Sequence, residues 1–307
     1  MPKAVRFSTY GGPDVLQVVD VPMPVPADGE VLVQVMAAAL NPGEIGIREG
    51  VFAQIWPAHF PEGQGNDFSG HVVEVGGTGS AFAVGDEVLG FSPRAAQAEY
   101  VVVSSGVLAH KPATLSWEAA ASVAGAGATA WASVAAVKPQ PGETVVVSGA
   151  AGGVGIIAAQ LARLSGATVI GTASSANAAA LEDRGIVPVQ YGQGLRAQLE
   201  RMAPHGVDAF IDTFGRGNVA LAIALGVPPN RINTTADGAG VQQYGVHSDA
   251  QEQADSPAIW GELAELAASG ALDIPVGAVY PLERVADAYR EVATRHGFGK
   301  RVLRIRP

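Results

Sequence analysis

Thr144-Val-Val-Val-Ser148 runs into Gly149-Ala-Ala-Gly-Gly-Val-Gly155 and then into Ile156-Ile-Ala-Ala-Gln-Leu-Ala-Arg-Leu164. An unbroken β-branched run is what a strand covered on both faces of a parallel sheet requires, and the residues that follow the glycines are helix formers. A glycine-rich turn between such a strand and helix leaves the first helical N–H groups and the positive dipole end facing outward, which makes an anion site. At Gly152 a side chain would block backbone approach to a pyrophosphate, while Gly155 lets the helix lie on the sheet. The pattern differs from G-x-G-x-x-G because Ala150 stands at the first glycine. The bland alternative is a glycine-rich turn that binds nothing. With a strand before and a helix after, a dinucleotide pyrophosphate at Gly152, Gly153 and Val154 is the expected ligand.

The same rhythm continues downstream. Strands are expected at 144–148, 167–172, 187–191, 207–213 and 231–235, with helices at 152–164, 176–183, 195–202 and 218–225 between them. Crossovers of that length suit a doubly wound parallel sheet. Upstream, Val31-Leu-Val-Gln-Val, Gly70-His-Val-Val-Glu-Val and Ala98-Glu-Tyr-Val-Val-Val are separated by Gly and Pro turns, a β-rich, barrel-like texture without long helices. Beyond Pro257 a helix at 259–269, a short strand, a helix at 282–293 and a β-type tail at 301–305 are expected, the tail being free to return to the first unit. The run from Ala119 to Val137 is uncharged over a length that raises the question of a membrane span. Its Ala, Gly, Ser and Thr content points instead to a buried helix or hairpin.

Where the second strand of a dinucleotide fold ends, an acidic residue would hold the ribose 2′-hydroxyl of NAD. Here the chain reads Val169-Ile-Gly-Thr-Ala-Ser-Ser-Ala-Asn177, and Ser174, Ser175 and Asn177 offer donors that do not repel a 2′-phosphate. NADPH is the expected cofactor; helix capping by the serines is the competing reading. A net charge of −10 and a pI near 5.0 weigh against partners that are nucleic acid or membrane. The chain has no cysteine, so disulfides, thiolate zinc and a thiol nucleophile are excluded, and a cytoplasmic setting fits. Its six histidines show no paired ligand spacing, so no metal site is expected.

Several fragments, in their order and spacing, resemble the zinc-free quinone oxidoreductase branch of the medium-chain dehydrogenase/reductase superfamily. They are Asn41-Pro-Gly-Glu44 with Ile47-Arg48, Gly65-Asn-Asp-Phe-Ser-Gly70, Val84-Gly-Asp-Glu-Val88, Ala128-Thr-Ala130, the 148–155 turn, Gly171-Thr-Ala-Ser174, Tyr191, Tyr280-Pro-Leu-Glu-Arg-Val-Ala-Asp-Ala288 and Gly299-Lys300. The resemblance implies an α/β chain with a GroES-like β-rich catalytic domain (1–117 and 270–307), a Rossmann NADPH-binding domain (118–269), a cleft between them, and a homodimer. It implies that Thr129 approaches the nicotinamide and Phe214 the ribose–nicotinamide end. Ser174 and Tyr191 approach the 2′-phosphate, and Asn41 faces the substrate. Two positions depart from the family: Ala178 replaces a frequent lysine, so phosphate charge must be met by another base, and Gly46 replaces a substrate-side aromatic residue.

Without metal or thiol, hydride passes from the nicotinamide to an electron-poor carbon, and the protein supplies position and polarity. The Asn41 amide is the expected donor to the substrate oxygen. As an alternative it is a turn amide of Asn-Pro-Gly. Quinone reduction is the leading function, with enone or alkenal double-bond reduction as the rival. A non-catalytic NADPH sensor is the alternative of another class.

Overall fold

The structure, a computed structural model, describes residues 1–306. In chain order the first elements are β1 (Lys3–Phe7), β2 (Gln17–Asp20), β3 (Glu30–Ala39), α1 (Pro42–Arg48), β4 (Glu62–Gly63), β5 (Asp67–Val75), β6 (Glu87–Phe91), β7 (Tyr100–Ser104), β8 (Leu108–His110), α2 (Trp117–Ala120) and α3 (Ala128–Val137). Then come β9 (Thr144–Ser148), α4 (Gly153–Leu164), β10 (Thr168–Ala173), α5 (Ala178–Glu182), β11 (Val187–Gln190), α6 (Leu195–Met202), β12 (Ala209–Asp212), α7 (Asn218–Ala224) and β13 (Ile232–Thr234). The chain finishes with α8 (Gly238–Tyr244), α9 (Pro257–Ala268), β14 (Val276–Pro281), α10 (Val285–Thr294) and β15 (Lys300–Arg304).

A five-stranded sheet is parallel throughout, in the order β11-β10-β9-β12-β13, with Val146 between Ile170 and Phe210. Val145, Val146 and Val147 are all 0% exposed, and burial of each such side chain contributes about 1.5–3 kcal/mol. That is why the unbroken Val run sits at the centre. Helix α4 is buried from Gly155 to Ala162, held between the sheet and α3. Its one buried polar side chain, Gln160, donates to the Asp273 carbonyl at 2.8 Å and accepts from the Asp273 N–H at 2.9 Å, tying the start of the C-terminal return to this helix.

The seven-stranded sheet belongs to the β-rich unit. Strand β3 is ten residues long, enough to pair β5 on one edge and, on the other, β7 through residues 30–34 and β15 through 37–39. The tail therefore does return to the first unit. Ala37, Ala38 and Ala39 are fully buried there, small side chains that let the sheet bend closely round its core. From Trp117 to Val137 the chain is one apolar helical run, interrupted by a π-type turn at Val123–Gly127, and it is mostly buried inside the protein.

The sequence-based spans differ from the structure where side chains compete for the backbone. The strand expected to reach residue 213 stops at Asp212, because the Asp212 carboxylate takes the N–H groups of Phe214 and Gly215 at 3.1 and 2.9 Å and bends the chain out of the sheet. The helix expected from 176 begins as a single 3₁₀ turn, Ser175–Asn177. Helix α8 lies in a stretch to which the sequence reading assigns no element; the Asp237 side chain starts it by accepting from the Gly240 N–H at 2.9 Å.

Candidate functional site

The backbone leaves β9 through Gly149, whose φ of 65° suits glycine. Its N–H donates to Thr172 Oγ1 at 3.1 Å, and that of Ala150 to the Thr172 carbonyl at 3.0 Å, fixing the turn to β10. Ala150 is accommodated from the neighbouring strand: a Cβ on Gly171 would lie 2.7 Å from the Ala150 methyl. The space for the first glycine's alanine is thus provided by Gly171. Gly152 caps α4 in extended conformation, and a Cβ there would meet only the Gly149 carbonyl oxygen, at 3.2 Å. Protein packing does not demand glycine at 152, and its open side leaves room for a ligand. At Gly155 the reverse holds, since a Cβ would lie 2.2 Å from the Gly149 oxygen. Open N–H groups at a twelve-residue helix and a bare glycine beside them fit a pyrophosphate.

The tail crosses this turn. Gly299 N–H donates to the Ala151 carbonyl at 2.9 Å, and a Cβ on Gly153 would lie 2.4 Å from Lys300 Cδ. Gly153 is bare because Lys300 passes over it. The Lys300 ammonium donates to the Leu40 carbonyl at 2.9 Å and to Asn41 Oδ1 at 2.7 Å, so a β15 side chain connects the helix N-terminus to the first unit. Gly299-Lys300 was legible as a family fragment, but no sequence signal gave this reach.

Asn41 is the N-cap of α1 and stands at the edge of a buried polar cluster. Its Nδ2 donates to Glu44 Oε1 at 3.1 Å and to Asp67 Oδ2 at 3.0 Å. Both amide hydrogens are engaged within the protein and the oxygen is held by Lys300, so the expected donation to a substrate oxygen takes exchange of one of these bonds. Behind it, Tyr289 donates to Glu44 Oε2 at 2.6 Å and accepts from Gln64 and Gln97 at 2.7 and 2.8 Å. Burial pushes the Glu44 carboxyl up, and the Tyr289 hydroxyl well up. Burial likewise pushes Asp67 up to about 7, against the pull of the Lys300 ammonium and with a push from Glu44. Lys300 itself is lowered by burial and raised in part by the two carboxylates. Asp67 Oδ1 has no partner, and a Cβ on Gly125 of the π-type turn would lie 2.0 Å from Asp67 Oδ2. Thr129 closes the same corner, its hydroxyl donating to the Gly125 carbonyl at 2.8 Å.

At the end of β10, Ser174 is the N-cap of the 3₁₀ turn yet makes no side-chain capping bond, and neither does Asn177 ahead of α5. Ser175 is exposed beside it. Tyr191 is 47% exposed and its N–H donates to the Ala173 carbonyl at 3.4 Å, next to Ser174. Phe214 follows β12, with the buried Asp212 shaping its loop through Gly215, Asn218 and Thr234. Val154 is partly buried in the core under the turn. The space beside Gly46 is filled by Phe52: a Cβ at Gly46 would meet the Phe52 ring at 2.9 Å, and the Phe52 ring centroid lies 5.9 Å from that of Trp56. A cavity of about 600 Å³ at the end of α3 and the β13 edge, lined by Lys138, Arg231 and His247 among others, contains none of the residues assigned from sequence. Among the described residues no group of three or more His, Asp or Glu is placed to hold a metal.

Residues 27–113 match the family model "Alcohol dehydrogenase GroES-like domain", and residues 186–303 match "Zinc-binding dehydrogenase". A quinone oxidoreductase of Sus scrofa is 30% identical over 98% of this chain and 97% of its own length. The Escherichia coli quinone oxidoreductase solved in complex with NADPH superposes with a TM-score of 0.86 at 25% identity, covering 98% of this chain and 99% of that one. A structure described as an NAD-dependent alcohol dehydrogenase is similar too, with a TM-score of 0.87 at 31% identity over 99% of this chain and all of that one. In its five-stranded and seven-stranded sheets, its glycine turn and its end-to-end likeness to these proteins, the chain belongs to the quinone oxidoreductase branch of the medium-chain dehydrogenase/reductase superfamily.

Proposed function

We propose that this chain is an NADPH-dependent reductase of quinones, built from a catalytic domain (1–117 with 270–307) and a nucleotide-binding domain (118–269), and working as a cytoplasmic homodimer. The observation that carries the reading is the junction at Lys300: a cation from the C-terminal strand lies over the helix N-terminus at Gly153 and grips Asn41 at 2.7 Å. Bound NADPH supplies the hydride, and with it two electrons. Gly152, Gly153 and Val154 receive the pyrophosphate; Ser174, Ser175 and Tyr191 receive the 2′-phosphate; Thr129 and Phe214 line the path between. Lys300 uses two of its three hydrogens on Leu40 and Asn41, which leaves one for an acceptor oxygen as charge develops there.

A flat conjugated acceptor such as a quinone is favoured by Phe52 standing against Gly46 of α1, with Trp56 beside it and Val51 and Ile55 exposed at 70% and 72%. The test is NADPH consumption against a panel of quinones, enones and alkenals. Turnover of quinones above the rest is the expected result. Preference for enones moves the substrate assignment to the double-bond reductases, and binding of NADPH without turnover of any acceptor leaves a cofactor-binding sensor.

A further inference from the structure

The cavity of about 600 Å³ at the end of α3 takes no part in the function proposed above. Its volume suits a small organic ligand. The floor is the C-terminal half of α3, whose first turn carries Thr129. There the half-buried Trp131 indole stands beside Ala132, Ala135 and Ala136, whose methyl groups keep the helix face low. A flat apolar body fits against such a ring.

The rim brings two cations to that floor. Of the four lysines in the chain, Lys3 and Lys111 enter ion pairs and Lys300 is bonded at the junction of the two units. Lys138, among the described residues, has no carboxylate partner; it is exposed and held as the C-cap of α3 at a left-handed φ of 47°. Arg231 gives both terminal nitrogens to Glu143, one of them at 3.0 Å, and its Nε is buried with no partner at all. Asp249, the one carboxylate among the lining residues, stands 3.5 Å from His247 Nδ1. The wall is fixed from behind. The fully buried Asn233 side chain donates to the Asp249 carbonyl at 3.0 Å and accepts from the Asp249 N–H at 2.7 Å, and the His247 N–H donates to the Ile232 carbonyl at 3.0 Å. An unpaired ammonium and an orphaned guanidinium N–H beside an aromatic floor call for a carboxylate on a planar apolar body, since a buried donor left without an acceptor is costly and a charged acceptor satisfies it best.

We infer that this cavity is a second ligand site, separate from the Lys300 junction and the glycine turn, for a small aromatic carboxylate. Calorimetric titration of the full chain, with and without NADPH, using 2-naphthoate and its uncharged counterpart 2-naphthamide, tests it on wild type, Lys138→Asn and Trp131→Ala. Asparagine tolerates the left-handed C-cap while removing the charge. Wild type is expected to bind one naphthoate per chain, equally well with and without NADPH, and naphthamide about tenfold more weakly. Lys138→Asn should weaken naphthoate about tenfold and leave naphthamide unchanged, whereas Trp131→Ala should weaken both. Absence of naphthoate binding by wild type would overturn the site, as would an affinity that Lys138→Asn leaves unchanged. Displacement of naphthoate by NADPH or by a quinone would overturn it too, because the probe would then lie in the cofactor or substrate cleft.

Discussion

A single added carbon separates the work of two glycines three positions apart. At Gly152 a Cβ meets only one carbonyl oxygen, at 3.2 Å, and the extended φ of −77° suits a branched residue. Gly152→Val is therefore expected to fold with a melting temperature close to wild type while losing NADPH affinity by calorimetry; retained affinity would remove the pyrophosphate from this turn. Gly155→Ala is expected to do the opposite, losing about 3 kcal/mol in urea unfolding because its Cβ would lie 2.2 Å from backbone. Asp67 gives a pH-dependent expectation. Its carboxyl rises from 3.8 to about 7 on folding, so the folded chain binds this proton more tightly than the unfolded chain. The stabilisation is complete below about pH 4 and is lost as pH climbs through 7. Asp67→Asn, which mimics the protonated acid, should gain about 2–4 kcal/mol relative to wild type between pH 5 and pH 8. A difference that stays flat with pH would show that Asp67 is ionised throughout.

At the scale of elements, the end of β10 and the turn after it decide between two nicotinamide cofactors. Ser174 makes no capping bond, so replacing it leaves the 3₁₀ turn intact. Ser174→Asp puts a carboxylate where the 2′-phosphate is expected, and the NADPH-to-NADH affinity ratio should fall about tenfold to a hundredfold. An unchanged ratio would return Ser174 to a structural role. The elements of the parallel sheet were legible because each signal is local: Val145 to Val147 announce a central strand wherever the rest of the chain goes, and glycines announce the turn after it. Their ends were less legible. Asp212 stops β12 by reaching forward to Phe214 and Gly215, and Asp237 starts α8 among glycines, both through side-chain bonds that no propensity encodes.

At the scale of the whole molecule, the site depends on a tail that travels from α9 back across the glycine turn. Gln160 fastens its beginning at Asp273, β15 pairs with β3, and Lys300 lies between the two units. Lys300→Met should leave Asp67 and Glu44 buried without their cation, at a cost of about 3–5 kcal/mol in unfolding free energy. It should also reduce kcat, with quinone, about a hundredfold. A variant that keeps full turnover would exclude Lys300 from the chemistry. The sequence by itself determined the parallel sheet, the glycine turn, the lack of a carboxylate at the end of β10 and the family, because each is written in adjacent residues with a fixed period or spacing. Only the tertiary structure decided that both hydrogens of Asn41 are taken, that Lys300 covers Gly153, and that Phe52 fills the space at Gly46. The farthest of these meetings, Gly153 with Lys300, joins residues 147 positions apart in the chain, and the folded path alone brings them together.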